Sequence, residues 1–465
     1  MTQIMSRFDD LRAALAGTVV TPDDPGYDEA RQVWNGEFDR RPAVIAYCES
    51  AEDVARAVAF AREAPLEISV RSGGAHSGSG MSVGDAGIVI DLSRMNDVVV
   101  DPVARRAVVG GGALLREVDA ATQAHGLAVP TGEIGHTGFA GLSLGGGMGW
   151  LTRLHGLSLD NFLAVQVVLA DGSIVRAAPD ENPDLFWALR GGGGNFGIAT
   201  SIEIALHEVG PQVELGLIFY AMEDAADALR VAREVIADLP PDVAFQVVAL
   251  NAPPEPFVPL EHHGRLGFAL CVVGFGGEAS HRPVVDRVRD ALPPPLFELV
   301  TPMPYTALQQ MFDEAFAWGS HGYVKALYLE EFTDEAIDVI VTRTAGTASG
   351  RSSVHFYVLS GAYCAVADDA TAFGGGRTPR LCVFVVGLAS DSTVLADERV
   401  WVRGFYDAIA PHALGRGAYV NELMADDVHR VPASYGDKYA RLQQIKAQYD
   451  PENVFHRNTN ILPTP

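Results

Sequence analysis

Three glycine-rich stretches constrain this chain more than any other feature: "RSGGAHSGSG" (71–80), "GLSLGGGMGW" (141–150) and "RGGGGNFGIAT" (190–200). Glycines let backbone N–H groups approach a ligand closely, and successive N–H groups form concave anion sites. Three such loops in one N-terminal region suit a dinucleotide with two phosphates. The third contains a literal GxGxxG in Gly192, Gly194 and Gly197. A Rossmann site needs a strand before that motif and a helix after it. Here the helical "PDLFWALR" precedes it and the alternating "GIATSIEIAL" follows, so a Rossmann site is excluded. No GxxxxGK[ST] occurs, which argues against a nucleoside triphosphatase.

The pattern around these loops divides the chain of 465 residues. The first 205 residues alternate short strands and helices. Ser50 and Asp53 mark a helix start, with Val54, Ala57, Val58 and Ala61 on one face. "LEISV" (66–70) reads as a strand entering the first glycine loop, followed by strands at 87–92, 97–101 and 106–110. Gly126 stops the helix "ALLREVDAATQAHG". Asp171-Gly172 is expected to supply the positive φ angles of a hairpin turn, and Asn182 to cap a helix with Pro183 in its first turn. Beyond about residue 206, proline clusters separate long alternating strands from amphipathic helices. That pattern predicts an α+β domain with a largely antiparallel sheet and helices on one face.

Composition removes several function classes. A net charge of −25, from 59 acidic and 34 basic residues, argues against nucleic-acid or anionic-membrane partners. The four cysteines, Cys48, Cys271, Cys364 and Cys382, are far apart and suggest buried free thiols rather than a disulfide framework or a zinc site. His262-His263 is sequential and lacks the i, i+4 spacing of helical metal ligands, so no metal is expected. The N-terminus lacks a continuous apolar segment, and no stretch reaches the roughly 20 apolar residues of a spanning helix. A cytoplasmic protein is expected.

Four motifs in order now carry a resemblance: "RSGGAHSGSG", "GHTGFAGLSLGGGMGWLTRLHGLSLDN", "NPDLFWALRGGGGNFGIAT" and "YDPENVFHRNTNI". From about residue 30 onward the chain resembles the FAD-linked oxidases of the berberine bridge enzyme type, in the vanillyl-alcohol oxidase (PCMH-type FAD domain) superfamily. It is similar to bacterial 6-hydroxynicotine oxidase-like and secondary-metabolite members. The resemblance implies a PCMH-type FAD-binding module of two α/β subdomains at 1–206. It further implies an inserted antiparallel-sheet-plus-helices substrate domain at 207–414, roofing the flavin, and a C-terminal segment at 415–465 completing the FAD module.

The resemblance also implies site residues. In the family, a histidine after the first glycine pair bonds the flavin 8α carbon. Here Ala75 stands at that place and His76 follows. Either one residue is inserted and His76 makes a mono-covalent link, or Ala75 occupies the attachment position and FAD is held non-covalently; a solvated, idle His76 is the bland reading. The family's second attachment point, a cysteine, falls on Ile134, so no cysteinyl link is expected. Arg71, Ser72, Gly73, Gly74 and Ser77 would line the pyrophosphate. Thr137, Gly138, Gly141 and Leu142 would run along the ribityl chain and ring, with His136 near the cofactor. Gly197 and Ile198 would clasp the adenine side, and Asn458 and Asn460 would bond the flavin edge.

For catalysis, the family's tyrosine base in "Y-x-N-Y" is replaced by Glu422 in "YVNEL", with Tyr419 as the fallback acid or base. The alternative is a surface loop glutamate. Period two along "SSVHFYVLSGA" puts His355 and Tyr357 on one strand face and Phe356 and Val358 on the other. The first pair would touch substrate if that face roofs the flavin, or pack in a helix–sheet interface if it does not. The implied activity is an FAD-dependent oxidase taking a hydride from a small hydrophobic or polycyclic metabolite to flavin N5, with oxygen reduced to hydrogen peroxide. An oxygenating or rearranging flavoenzyme, a cyclase with a structural flavin and a sugar oxidase are the rivals.

Overall fold

The computed structural model describes residues 2–347 and 349–464. Met1 and Pro465, the outer bounds of the expected segments, lie outside the described residues. Two sheets form the N-terminal part. The first orders its strands Thr18–Val20, Val44–Tyr47, Ile88–Asp91, Ile68–Arg71, and its last three are mutually parallel. Between two of them runs helix Ala51–Glu63, capped as expected: the Ser50 side chain accepts from the Asp53 N–H. Buried Asp53 in turn accepts from the amides of Ala16, Gly17 and Glu49, tying the preceding strand to the helix start. Its inner face, Val54, Ala57, Val58 and Ala61, packs with Val44, Ile88 and Ile90 in one apolar cluster.

The second sheet is antiparallel, in the order Val98–Asp101, Arg106–Gly110, Ile198–Ala205, Phe162–Val168, Ile174–Ala177. Its last hairpin differs from the expected turn. Only Gly172 has positive φ, +83°, and Gly172 N donates to Leu169 O. Asp171 instead accepts from the amide and hydroxyl of Ser173, so a longer loop with one left-handed glycine closes the hairpin. Asn182 also departs from expectation. It precedes helix Pro183–Leu189 in a left-handed conformation, and its side-chain amide donates back to Arg176 O rather than accepting from the helix.

The third sheet has seven antiparallel strands, in the order Phe297–Pro304, Gln212–Ala221, Leu266–Gly274, Val243–Asn251, Ser353–Leu359, Arg380–Ala389, His321–Leu329. Strand alternation divides it cleanly. Phe245, Val247, Leu270, Val272 and Phe356 face the helices Ala225–Ala237, Glu278–Ala291, Asp334–Thr344 and Ser392–Ile409. Ala244, Ala269, Cys271 and Val273 face the N-terminal part, packing on Trp150 and Leu151. The chain then returns to the N-terminal sheets. Lys446, fully buried, pairs with Asp450 at 2.6 Å and donates to Asn195 O and Phe455 O. Asn195 accepts from the Ile461 amide at 2.9 Å, which locks the tail against the third glycine loop. Among the described residues, no helix is long and apolar enough to cross a membrane.

Candidate functional site

A deep cleft lies between the seven-stranded sheet and the N-terminal part, with a cavity volume of about 390 Å³, inside the roughly 300–1,000 Å³ range of small-molecule pockets. All three glycine-rich stretches reach its wall, through Ser72, Ala75, His76 and Ser77, through Gly141 and Leu142, and through Gly193, Gly194, Gly197 and Ile198. Thr137, Gly138 and Asn458 join them, and His355, Tyr357, Phe384, Tyr419 and Glu422 complete the lining.

The glycines divide into two jobs. A Cβ at Gly193 or Gly194 would meet nothing within 4 Å, so these two hold the wall open. A Cβ at Gly74 would sit 2.4 Å from Gly138 N, and one at Gly73 would sit 2.0 Å from Gly112 O. Gly73 and Gly74 therefore do not line the cleft as expected; they let two loops close on each other behind it. Arg71 is likewise off the wall. It pairs with buried Asp91 at 3.3 Å and donates to Ala30 O at 2.7 Å, so its charge is matched inside the parallel sheet. His136 and Asn460 also stand outside the lining.

The first loop absorbs Ala75 as a left-handed kink, at φ +44°. Its methyl group joins Tyr27, Val33, Ile45, Val83 and Val89 in a small apolar cluster, and its carbonyl accepts from Trp34 N. The next side chain, His76, turns to the cleft. Its ring stacks on Trp34 at 4.2 Å and stands 5.0 Å from the His136 ring. Its Nε2 is shielded from solvent without a hydrogen-bond partner. Burial and the adjacent His136 push its pKa down to about 3, so the imidazole is neutral. This is not a solvated loop histidine. Ile134 lines the cleft, whereas none of the four cysteines does.

Glu422 closes the short turn Val420–Glu422, and desolvation raises its carboxyl to about 7. It is a cleft residue, not a surface one. Tyr419 faces the cleft too, but its hydroxyl accepts from Gly147 N at 2.8 Å and from the Asn421 side-chain amide at 2.7 Å. Burial holds that phenol far above its ordinary pKa. The geometry fits Tyr419 to bracing the 145–147 turn, with its own O–H proton in neither bond. His355 and Tyr357 share the cleft-facing side of their strand, while Phe356 packs on the helices. Burial lowers His355 to about 4, and Ser353 Oγ lies 2.9 Å from its Nε2. Edges of Phe312 and Phe316 meet its ring, making that end of the cleft aromatic.

Comparison with known proteins bears on this arrangement. Residues 42–178 match the FAD binding domain model, and residues 418–462 match the berberine and berberine-like model. The chain is 30% identical to (R)-6-hydroxynicotine oxidase of Paenarthrobacter nicotinovorans over 97% of both chains. It belongs to the berberine bridge enzyme-like family of FAD-linked oxidoreductases. An uncharacterized FAD-linked oxidoreductase of Bacillus subtilis is also 30% identical, over 97% of this chain and 99% of that one. The solved structure of 6-hydroxy-D-nicotine oxidase from Arthrobacter nicotinovorans superposes with a TM-score of 0.86 at 27% identity, covering 97% and 98% of the two chains. A chitooligosaccharide oxidase, 22% identical with a TM-score of 0.86, shares the fold.

The residues of this FAD-linked oxidoreductase fit the cofactor. The open glycine wall accepts a flat or extended group without a Cβ in the way. Shielded polar atoms on the lining, His76 Nε2, Ser82 Oγ and Asn458 Oδ1, lack partners in the protein. Three residues had no sequence signal pointing to them. Glu133 and Trp34 sit in loops without period, and Phe312 lies in an irregular segment. Glu133 is the most consequential of them: it lines the cleft, accepts from Gln246 Nε2 at 3.2 Å, and burial raises its carboxyl to about 8.

Proposed function

We propose that this enzyme is an FAD-dependent oxidase of a small hydrophobic or polycyclic metabolite, passing a hydride to flavin N5 and electrons on to oxygen as hydrogen peroxide. The observation that carries this reading is Glu422: a carboxyl raised to about 7, in a cleft that also holds the glycine cradle and an aromatic lining. When bound, FAD supplies the redox chemistry. Glu422 as carboxylate takes the proton that must leave the substrate along with the hydride, and a pKa near working pH suits that task. Phe312, Phe316 and His355 position an apolar ring system, and Tyr357 offers one polar contact.

His76 is the attachment residue in this reading, because the kink at Ala75 turns its neutral ring to the cleft. Acid precipitation tests it: a yellow pellet whose intact mass exceeds the chain by one FAD, and release of the cofactor by His76→Ala. A white pellet under a yellow supernatant would overturn the link and leave a dissociable FAD. The oxidase reading is tested by anaerobic bleaching of the flavin with cyclic hydroxy and amino aromatic compounds, then admission of air. Peroxide equal to oxidised product supports it, and Glu422→Gln should slow bleaching by about 10²–10⁴. Incorporation of labelled oxygen into product in place of peroxide would overturn it in favour of an oxygenase.

A further inference from the structure

The ring of His76 has little of its own loop to hold it. Its neighbours from 73 to 80 are glycine, alanine and serine. Ser77 Oγ and Ser79 Oγ bond each other at 2.9 Å, and His76 Nε2 has no partner. What meets the ring comes from elsewhere in the chain: the indole of Trp34, stacked on it at 4.2 Å with 23° between the planes. That indole is fixed on two sides. Trp34 N donates to Ala75 O at 3.2 Å, at the kink itself. Trp34 Nε1 donates to Phe316 O at 2.6 Å, and Trp34 O accepts from Gly319 N at 3.0 Å, both in the segment leading into strand His321–Leu329. Asn35, fully buried, extends the seam: its side-chain amide donates to Gly78 O at 2.8 Å and to Gly322 O at 2.9 Å. Trp34 is thus wedged between the first glycine loop and the seven-stranded sheet. Among the described residues it is the one tryptophan on the wall of the main cleft.

We infer that Trp34 prepares His76 for its bond to the flavin: the indole face holds the imidazole plane at the cleft and stabilises the positive charge that ring carries while the bond forms. The inference rests on the reading of His76 as the attachment residue. An imidazole nitrogen that adds to carbon leaves its ring cationic until the second nitrogen sheds a proton. Charge on this ring is costly, because burial and the adjacent His136 already hold it neutral. A cation within about 6 Å of an indole centroid is attracted to its face, more strongly when water is excluded, and the 4.2 Å stack lies inside that reach. The proton has a receiver in His136, whose ring stands 5.0 Å away and neither of whose nitrogens has a hydrogen-bond partner. One imidazole N–H and one C–H of the 8α methyl break, and one N–C bond forms. The two protons and two electrons leave through the flavin to oxygen, the oxidant of the proposed function, as hydrogen peroxide.

The test grades the indole face while keeping its shape. The full chain is produced in riboflavin-starved cells with tryptophan or with singly, doubly or triply fluorinated tryptophan, then given FAD in air. Covalent flavin is followed by fluorescence of the acid-precipitated protein and by intact mass. Each fluorine withdraws charge from the ring face, so attachment should slow step by step, by roughly tenfold across the series, at unchanged FAD occupancy before acid. In Trp34→Phe, where the remaining tryptophans still carry fluorine, that dependence should vanish. Trp34→Leu should attach more slowly than Trp34→Phe while binding FAD equally; the fluorinated series needs no variant to fold. Attachment that ignores fluorination, the same dependence in Trp34→Phe, or Trp34→Leu attaching as fast as the wild type would overturn the role of Trp34 and leave the His76 link standing. Protein with ordinary tryptophan that never carries covalent flavin would overturn the link itself, and this inference with it.

Discussion

At the scale of single residues, Tyr419 and Glu422 stand three positions apart in the same cleft with different surroundings. Tyr419 has its hydroxyl committed to Gly147 N and Asn421. Tyr419→Phe should therefore cost about 1–3 kcal/mol, since it leaves a buried amide without its acceptor. Thermal unfolding would report that loss, and the pH profile of flavin bleaching should keep its shape. A lost acid limb would instead make Tyr419 the proton carrier. The resemblance puts Glu422 where the family has its tyrosine base and His76 one residue late. It could not show the cost of that lateness. The answer lay in a kink at Ala75 whose methyl fits among Val83 and the distant Tyr27 and Val33, residues on no common period with it. Glu133 was invisible for the same reason: "TGEIG" is loop, and its partners sit on two strands of another sheet.

Among elements, the strands were the most legible. Period two put His355 and Tyr357 on one face and Phe356 on the other, and the fold turns the first pair to the cleft and Phe356 to the helices. The Asp171-Gly172 turn was read too tightly, because the dipeptide alone does not set loop length. Arg71 was given to a phosphate when Asp91, its parallel-strand partner in register, had already matched its charge. The terminal helix Tyr439–Tyr449 carries a consequence that can be measured. Its Lys446 pairs with Asp450 where neither is exposed. Lys446→Met removes one charge and strands the other, which costs about 3–5 kcal/mol. The third glycine loop loses its anchor at the same time, so the variant should melt earlier and release FAD more readily on dilution, followed by flavin fluorescence.

For the whole molecule, the buried titratable groups set a stability window. Glu422, Glu133 and Asp119 have folded-state pKa values raised to about 7, 8 and 7 by burial. The folded protein thus holds protons that the unfolded chain has lost, and the stability this gives is present below the ordinary carboxyl range and is lost as pH rises through 7 to 8. His76, His355 and His155 are lowered to about 3, 4 and 4. They act in the opposite sense, costing stability as pH falls below the ordinary histidine value. The melting temperature of the cofactor-free protein should therefore peak between about 4.5 and 6.5 and fall on either side. A melting temperature that rises steadily from pH 6 to 9 would contradict the burial of these carboxyls.

The tail's grip on the third glycine loop also dictates when the cofactor can enter. Asn195 and Ile461 are joined by one hydrogen bond across 266 positions of sequence, and Lys446 spans nearly as far. A nascent chain still lacking those residues presents two glycine loops and an unfinished third wall. Loading with flavin then has to wait until residues 446–461 have emerged and docked. Arrested chains ending before residue 440 should stay colourless in the presence of FAD, while chains extended past 461 by a linker should turn yellow.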